Sequence, residues 1–270
     1  MKLCRFQPLE FDAKDVSRSA HETHPSPRGG ISEGSRVHEI RGDLWSARER
    51  TGKSWPLDEV KLLPPSSPSK IVCVGRNYQE HAKELGNEVP PRPLLFLKPP
   101  SSVIGPEEHV ILPSISQRVD YEGELAVIMS RRCYHLKPDE SASPYILGYT
   151  CLNDVTARDL QKLDVQFTRG KGFDTSCPFG PILETQLDPS GATVETYVNG
   201  IRKQSGHTSE MIFSVDVIIR FIAQVMTLEP GDVVATGTPS GVGPLAAGDV
   251  VEVSVSGIGT LRNPVIAERD

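Results

Sequence analysis

The sequence has no long hydrophobic segment and no excess of positive charge. No run of about 18 apolar residues occurs, which argues against a membrane-spanning helix. The net charge of −6 argues against nucleic acid or an anionic membrane as a partner, because both require a basic surface. The N-terminal residues also lack the apolar core of a signal peptide. These absences predict a cytoplasmic protein without nucleic-acid or membrane partners.

Cysteine is scarce and dispersed along the chain. No Cys-x-x-Cys pair occurs among the five cysteines, which are Cys4, Cys73, Cys133, Cys151 and Cys177. Such a pattern is typical of reduced thiols in a cytoplasm and argues against a zinc cluster.

A Pro/Ser-rich stretch, LLPPSSPSK, divides the chain of 270 residues, which is long enough for one large domain and one small one. We predict a small N-terminal domain over residues 1–65 and a second domain over residues 66–270. Within the first, residues 17–35 contain one large aliphatic residue, Ile31, and are predicted to form a polar loop.

Hydrophobic patterns predict an α+β fold that is mostly β. KIVCVG (70–75) is a compact apolar run typical of a buried strand, and DVVEVSVSG (249–257) alternates valines with polar residues, as a half-buried strand does. Asn199 and Gly200 lie between two strand-like runs and are a strong hairpin signal. The segment SVDVIIRFIAQVM (214–226) has one polar stripe and is predicted to be a helix.

Two acidic residues stand two apart at the start of a predicted strand, in the segment DYEGELAVI. Residues i and i+2 of a strand share a face, so the carboxylates of Glu122 and Glu124 lie side by side and repel each other. A divalent cation between them would remove the repulsion, whereas an exposed acidic strand end would tolerate it without a metal. The two residues alone leave both interpretations open.

Two further segments bring polar residues together. In NDVTARDLQ, a helix beginning there would place Asp154, Arg158 and Gln161 on one face, although a capped helix end with surface charges has the same pattern. In RGKGF, Lys171 is followed directly by Gly172, and glycines let the backbone approach a ligand closely. A flexible turn would look the same.

A predicted helix in GRNYQEHAKELG (75–86) places His81 and Glu84 at positions i and i+3, where the carboxylate can orient the imidazole. An exposed surface pair is the alternative. The Gly-rich segment ATGTPSGVG lacks the GK[ST] ending of a phosphate loop, which argues against a nucleotide site.

These segments together resemble the fumarylacetoacetate hydrolase family. The similarity extends from about Lys70 to Val265 and rests on five motifs in order: GRNYQEHAKE, YEGELAVI, NDVTARDLQ, KGFDTSCPFGP and MIFSVDVIIRFIAQVMTLEPGDVVATGTPSGVG. The resemblance implies a mixed β-sandwich roll, a homodimer and a bound Mg²⁺ or Mn²⁺. It makes residues 66–270 the catalytic domain.

The resemblance also implies a role for each residue at a matched motif position. The implied metal ligands are Glu122, Glu124 and Asp154. The implied catalytic groups are His81, Glu84 and Lys171. The implied substrate contacts are Arg76, Arg158, Gln161 and Thr238. His81 and Glu84 match the dyad of the branch that cleaves acylpyruvates or decarboxylates oxaloacetate, where a lid carries it over the substrate.

Three carboxylates without a nitrogen or sulfur ligand suit a hard cation. We therefore expect a metal-dependent hydrolase that cleaves a C–C bond in a small 2,4-diketo acid, of acylpyruvate or fumarylacetoacetate type, through a metal-bound enolate. His81 would activate water with the help of Glu84, and Lys171 and Thr238 would stabilise negative charge. The alternatives are an oxaloacetate decarboxylase, an isomerase or hydratase of unsaturated hydroxy-diacids in aromatic catabolism, and a metal-binding scaffold without activity.

Overall fold

The computed structural model describes residues 1–9, 26–45, 48–137 and 139–268. Residues 17–25 of the polar loop predicted for residues 17–35 lie outside these ranges. The prediction is wrong over Arg28–Glu33, which form a strand. Glycine explains why this polar segment forms a strand and not a loop. A Cβ at position 30 would lie only 2.5 Å from a methyl carbon of Val37, so this close packing requires a residue without a side chain. The absence of side chains at Gly29 and Gly30 lets this polar segment pack closely between its neighbours.

Strands account for most of the regular structure. The N-terminal strands are β1 (Lys2–Pro8), β2 (Arg28–Glu33), β3 (Arg36–Ile40), β4 (Arg50–Pro56) and β5 (Val60–Leu63). The next are β6 (Ile71–Gly75), β7 (Leu94–Lys98), β8 (Val103–Ile104), β9 (Val110–Leu112), β10 (Val119–Tyr121), β11 (Gly123–Met129) and β12 (Ile146–Asn153). The last are β13 (Thr156–Ala157), β14 (Cys177–Glu184), β15 (Thr193–Val198), β16 (Ile201–His207), β17 (Val233–Ala235), β18 (Gly243–Pro244), β19 (Val250–Val255) and β20 (Gly259–Ala267).

The helices are short. They are α1 (Gln79–Glu84), α2 (Arg158–Leu163), α3 (Thr168–Lys171) and α4 (Val215–Ala223), with single 3₁₀ turns at Leu57–Glu59, Pro100–Ser102, Ser143–Tyr145 and Thr208–Glu210. None of the helices in the described ranges is long and apolar enough to cross a bilayer.

The strands of the described residues form three sheets. The largest runs in the order β4-β3-β2-β1-β14-β12-β11-β17-β6-β7, with β5 also paired to β1 and β8 to β14. A second has the order β16-β15-β19-β20-β9, and a small third sheet has the order β13-β10-β18. Parallel pairs such as β17 with β6 and β20 with β9 occur among antiparallel ones. The mostly β, mixed-sheet fold predicted from the sequence is confirmed.

Strand β11 lies at the centre of the core, with apolar side chains buried on both of its faces. Leu125 and Val127 belong to a cluster that includes Val253 and Val255 of β19 and the apolar face of α4. Ala126 and Ile128 belong to a second cluster on the opposite face. This double burial fixes the position of the strand end from which the acidic residues project.

The N-terminal strands continue the largest sheet. Strand β1 pairs with β14 through Lys2 opposite Glu184 and Leu3 opposite Leu183. The predicted domain boundary between residues 65 and 66 stays a prediction.

Candidate active site

Three carboxylates meet where two central strands end. Glu122 lies between β10 and β11, Glu124 lies in β11, and Asp154 directly follows β12. Antiparallel pairing places Gly123 opposite Asn153, and the Asp154 backbone N–H donates to the Glu122 carbonyl oxygen at 2.8 Å. One carboxylate oxygen from each of the three residues lies within 4.8 Å of the others. The structure thus brings together the three predicted metal ligands, and all three are buried.

Buried cations neutralise part of this acidic cluster. The Lys171 ammonium donates to Glu122 Oε2 at 2.7 Å and to Asp154 Oδ2 at 2.6 Å. Arg158 Nη2 donates to Glu122 Oε1 at 2.5 Å. Burial alone would raise the pKa of the Glu122 carboxyl, but the charges of Lys171 and Arg158 outweigh it and hold this pKa well below its usual range. Glu122 is therefore an ionised carboxylate.

Glu124 lacks such compensation. Its Oε2 accepts a hydrogen bond of 2.7 Å from the Gly237 backbone N–H, and no salt bridge joins it to a cation within the described residues. Burial first, and then the negative charges of Asp154 and Glu122, raise the pKa of Glu124 well above its usual value. Among the described residues, Glu124 is therefore the one carboxylate of the three that no salt bridge compensates. Oxygen-only donors of this kind fit a hard divalent cation such as Mg²⁺ or Mn²⁺.

A second layer of charged groups supports the cluster. Arg158 Nε donates to Asp120 Oδ2 at 2.9 Å, and its Nη1 donates to Gln161 Oε1 at 2.8 Å. Arg118 Nε donates to Asp120 Oδ1 at 2.8 Å. Arg158 and Gln161 share one side of α2 as predicted, but Asp154 precedes this helix, which begins only at Arg158, so one helix face does not carry all three residues. Asp120 was missed, although its spacing of two from Glu122 is the same signal that identified Glu124.

Lys98 is a second buried residue of the site that the sequence motifs did not predict. Its side chain is fully buried at the end of β7, and its ammonium donates to Asp154 Oδ1 at 2.6 Å and to the Val155 carbonyl oxygen at 3.2 Å. A lysine in the otherwise apolar run LLFLK was the available signal, since an unpaired lysine is almost never fully buried.

His81 and Glu84 lie on α1, with His81 Nδ1 3.4 Å from Glu84 Oε2. His81 is only 5% exposed, so the alternative of an exposed surface pair is wrong for this residue. Burial lowers the pKa of His81, and the negative charges of Glu122 and Glu84 oppose this shift without cancelling it. The imidazole is therefore neutral near pH 7 and able to accept a proton. Both Glu84 oxygens also lie 3.1 Å from the Gly241 backbone N–H.

All ten residues predicted for the site line one cavity of about 610 Å³. Arg118, Asp120 and Lys162 line it as well, and Leu94, Phe96 and Phe167 form an apolar part of its wall. Arg76 has a left-handed backbone conformation with φ of 59°. Such a conformation is unfavourable for a residue with a side chain and is common at functional sites.

The comparison with known families agrees with this geometry. The sequence model of the fumarylacetoacetate hydrolase C-terminal domain matches residues 70–266. The chain belongs to the fumarylacetoacetate hydrolase family. A second model, named Rv2993c-like N-terminal, matches residues 21–65. The family membership predicted from the five motifs is confirmed.

Similar proteins within the family are named for different activities or for none. Protein MJ1656 of Methanocaldococcus jannaschii is 52% identical over 223 residues, which cover 83% of this chain and 91% of the relative. Oxaloacetate tautomerase YisK of Bacillus subtilis is 44% identical over 226 residues, 78% of this chain and 75% of the relative. The crystal structure of 2-hydroxyhepta-2,4-diene-1,7-dioate isomerase from Mycobacterium marinum has a TM-score of 0.86 and 40% identity, and each chain is fully covered.

Proposed function

We propose that this member of the family is a Mg²⁺- or Mn²⁺-dependent enzyme that moves a proton within a 2-oxo dicarboxylic acid, as a tautomerase or isomerase does. The observation that supports this is the positive charge left over in the cavity. Arg76 and Lys162 line the cavity, and neither forms an ion pair with a carboxylate of the described residues. A substrate with a second carboxylate would use these cations, whereas a monocarboxylate would not.

The names of the relatives support the same class of reaction. The Bacillus subtilis relative is named an oxaloacetate tautomerase, and the Mycobacterium marinum structure is named an isomerase of a seven-carbon dioate. Oxaloacetate is itself a dicarboxylate, and tautomerisation moves a proton between carbon and oxygen.

The residues of the chain fit the proton transfer. A cation held by Glu122, Glu124 and Asp154 would act as a Lewis acid that makes the carbon next to a 2-oxo group more acidic. The neutral His81 imidazole accepts the proton from that carbon, and Glu84 stabilises the imidazolium that forms. His81 then returns the same proton to the enolate oxygen, which gives the enol, or to another carbon. One C–H bond breaks and one O–H or C–H bond forms, so no further reactant is consumed.

Hydrolysis of a C–C bond in an acylpyruvate is the second candidate function. The observation that favours it is the same His81–Glu84 pair, because an imidazole paired with a carboxylate can deprotonate water for attack on a carbonyl carbon. Loss of CO₂ from oxaloacetate needs no such water.

A substrate comparison tests the proposal. The enzyme with Mn²⁺ is given oxaloacetate and acetylpyruvate, and enol–keto interconversion, CO₂ release and acetate release are followed separately. We expect accelerated interconversion of oxaloacetate, and Arg76→Gln should raise KM for oxaloacetate roughly tenfold or more while changing KM for the monocarboxylate little. Acetate release from acetylpyruvate without acceleration of oxaloacetate interconversion would replace this proposal with the hydrolase. Release of CO₂ without interconversion would replace it with a decarboxylase.

A further inference from the structure

The backbone between Glu122 and Glu124 pairs with β12 along one edge and is held by side chains along the other. Strand β11 pairs with β17 only from Ala126 to Ile128, so the ladder on this side ends before Gly123. The Gly123 N–H instead donates to Gln204 Oε1 at 3.0 Å. The Gly123 carbonyl oxygen accepts from Thr238 Oγ1 at 2.8 Å. Each of the two peptide groups that connect the acidic residues therefore has one hydrogen bond from a side chain on the edge that β12 does not cover.

Gln204 connects these contacts. It lies on β16 of the second sheet, is 1% exposed and does not line the cavity. Its Oε1 also accepts from Thr196 Oγ1 at 2.7 Å, and its Nε2 donates at 2.8 Å to both Thr238 Oγ1 and the Pro239 carbonyl oxygen. Both amide protons and both lone pairs of the oxygen are thus used, so the side chain has one fixed orientation.

Glycine at position 123 permits this arrangement. A Cβ on Gly123 would lie 2.1 Å from Thr196 Oγ1, which is far below any real contact distance. The close approach of β15 to the acidic strand end therefore requires the residue between the two glutamates to have no side chain.

The same network decides what the Thr238 hydroxyl can do. A hydroxyl has one proton, and Thr238 donates it to the Gly123 carbonyl oxygen while accepting from Gln204. This hydroxyl is therefore not a donor to negative charge on a substrate in this arrangement, although the resemblance to the family implied a substrate contact at Thr238.

We propose that Gln204 is a positioning residue for the acidic cluster. It fixes the peptide groups that carry Glu122 and Glu124 and, through Thr238 and Pro239, the loop that follows β17. The carboxylates are thereby oriented before any ligand arrives. The inference rests on the proposed function in one respect, namely that the cluster binds a divalent cation.

Mn²⁺ affinity measured by calorimetric titration tests the role of Gln204 without reference to turnover. Gln204→Met retains the side-chain length and removes all four hydrogen bonds, and it should weaken Mn²⁺ binding about 10- to 100-fold. Asn263→Leu is the matched control, because Asn263 is also 1% exposed and donates to two backbone carbonyls, of Gly105 and Glu108, but does not line the cavity. The control should lower the melting temperature and leave Mn²⁺ affinity within about twofold.

Thr196→Val provides a milder variant if Gln204→Met does not fold. It removes one neutral hydrogen bond to Gln204 and should weaken Mn²⁺ binding about fivefold. Wild-type affinity in Gln204→Met or Thr196→Val would overturn the positioning role, and so would an equal loss in Asn263→Leu. A wild-type protein that binds no Mn²⁺ would overturn the metal centre of the proposed function, and the positioning role with it.

Discussion

Replacing Lys98 with methionine removes a buried cation that contacts the acidic cluster from outside the cavity. Both partners of the Lys98–Asp154 pair have side chains that are at most 1% exposed. Breaking a buried ion pair from one side costs about 3–5 kcal/mol, because the remaining charge is left uncompensated. Asp154 keeps its contact with Lys171, so we expect the lower end of this range, about 3 kcal/mol. For a chain of this size, that loss lowers the melting temperature by about 6–12 °C.

The assay is thermal and urea unfolding of the metal-free protein. Lys61→Met is the control, because the Lys61–Glu108 pair is as short, at 2.7 Å, but its side chains are 45% and 35% exposed. An exposed pair contributes at most about 1 kcal/mol, so the free energy of unfolding should change little in this control. Equal losses in the two variants would refute the reasoning that burial makes the Lys98 contact essential.

Two further predictions concern His81 and Thr238. Burial lowers the pKa of His81 below its ordinary value of 6.5, so kcat/KM should be constant around neutral pH. It should fall only as the pH drops below 6.5, where the imidazole becomes protonated and can no longer act as a base. A fall that begins well above pH 6.5 would contradict the neutral imidazole. Thr238→Ser keeps the hydroxyl and should retain Mn²⁺ affinity. Thr238→Val removes the hydroxyl and should lower Mn²⁺ affinity as much as Gln204→Met does. If Thr238→Val instead raised only the KM for substrate and left Mn²⁺ affinity unchanged, the hydroxyl would be a substrate contact.

The sequence predicts those features of the site that depend on local periodicity. Glu122 and Glu124 share a face because strands repeat every two residues, and His81 reaches Glu84 because helical residues three apart are neighbours. Asp154 joins the glutamates through the pairing of Gly123 with Asn153, a long-range contact that spacing alone does not specify, so only the resemblance to a family identified it as a ligand.

Contacts between distant segments were not predictable in this way. Lys98 reaches Asp154 across 56 positions, and Gln204 reaches Gly123 across 81. Nothing in the immediate sequence of Gln204 distinguishes it from a surface glutamine on a hairpin strand. The strand at Arg28–Glu33 was not predicted because its composition is polar and typical of a loop. Its glycines nevertheless allow the close backbone packing of a strand.

The most direct test of the proposed function is the initial rate of oxaloacetate enol–keto interconversion, followed by ultraviolet absorbance. The rate is measured in three samples, which are wild type with Mn²⁺, wild type after exhaustive chelation, and Glu124→Gln with Mn²⁺. We expect acceleration in the first sample alone, with recovery when Mn²⁺ is returned to the chelated wild type. Glu124 should be required because it is the buried carboxylate that has no cationic partner among the described residues. Acceleration that persists after the metal has been removed, or that is unchanged in Glu124→Gln, would contradict it.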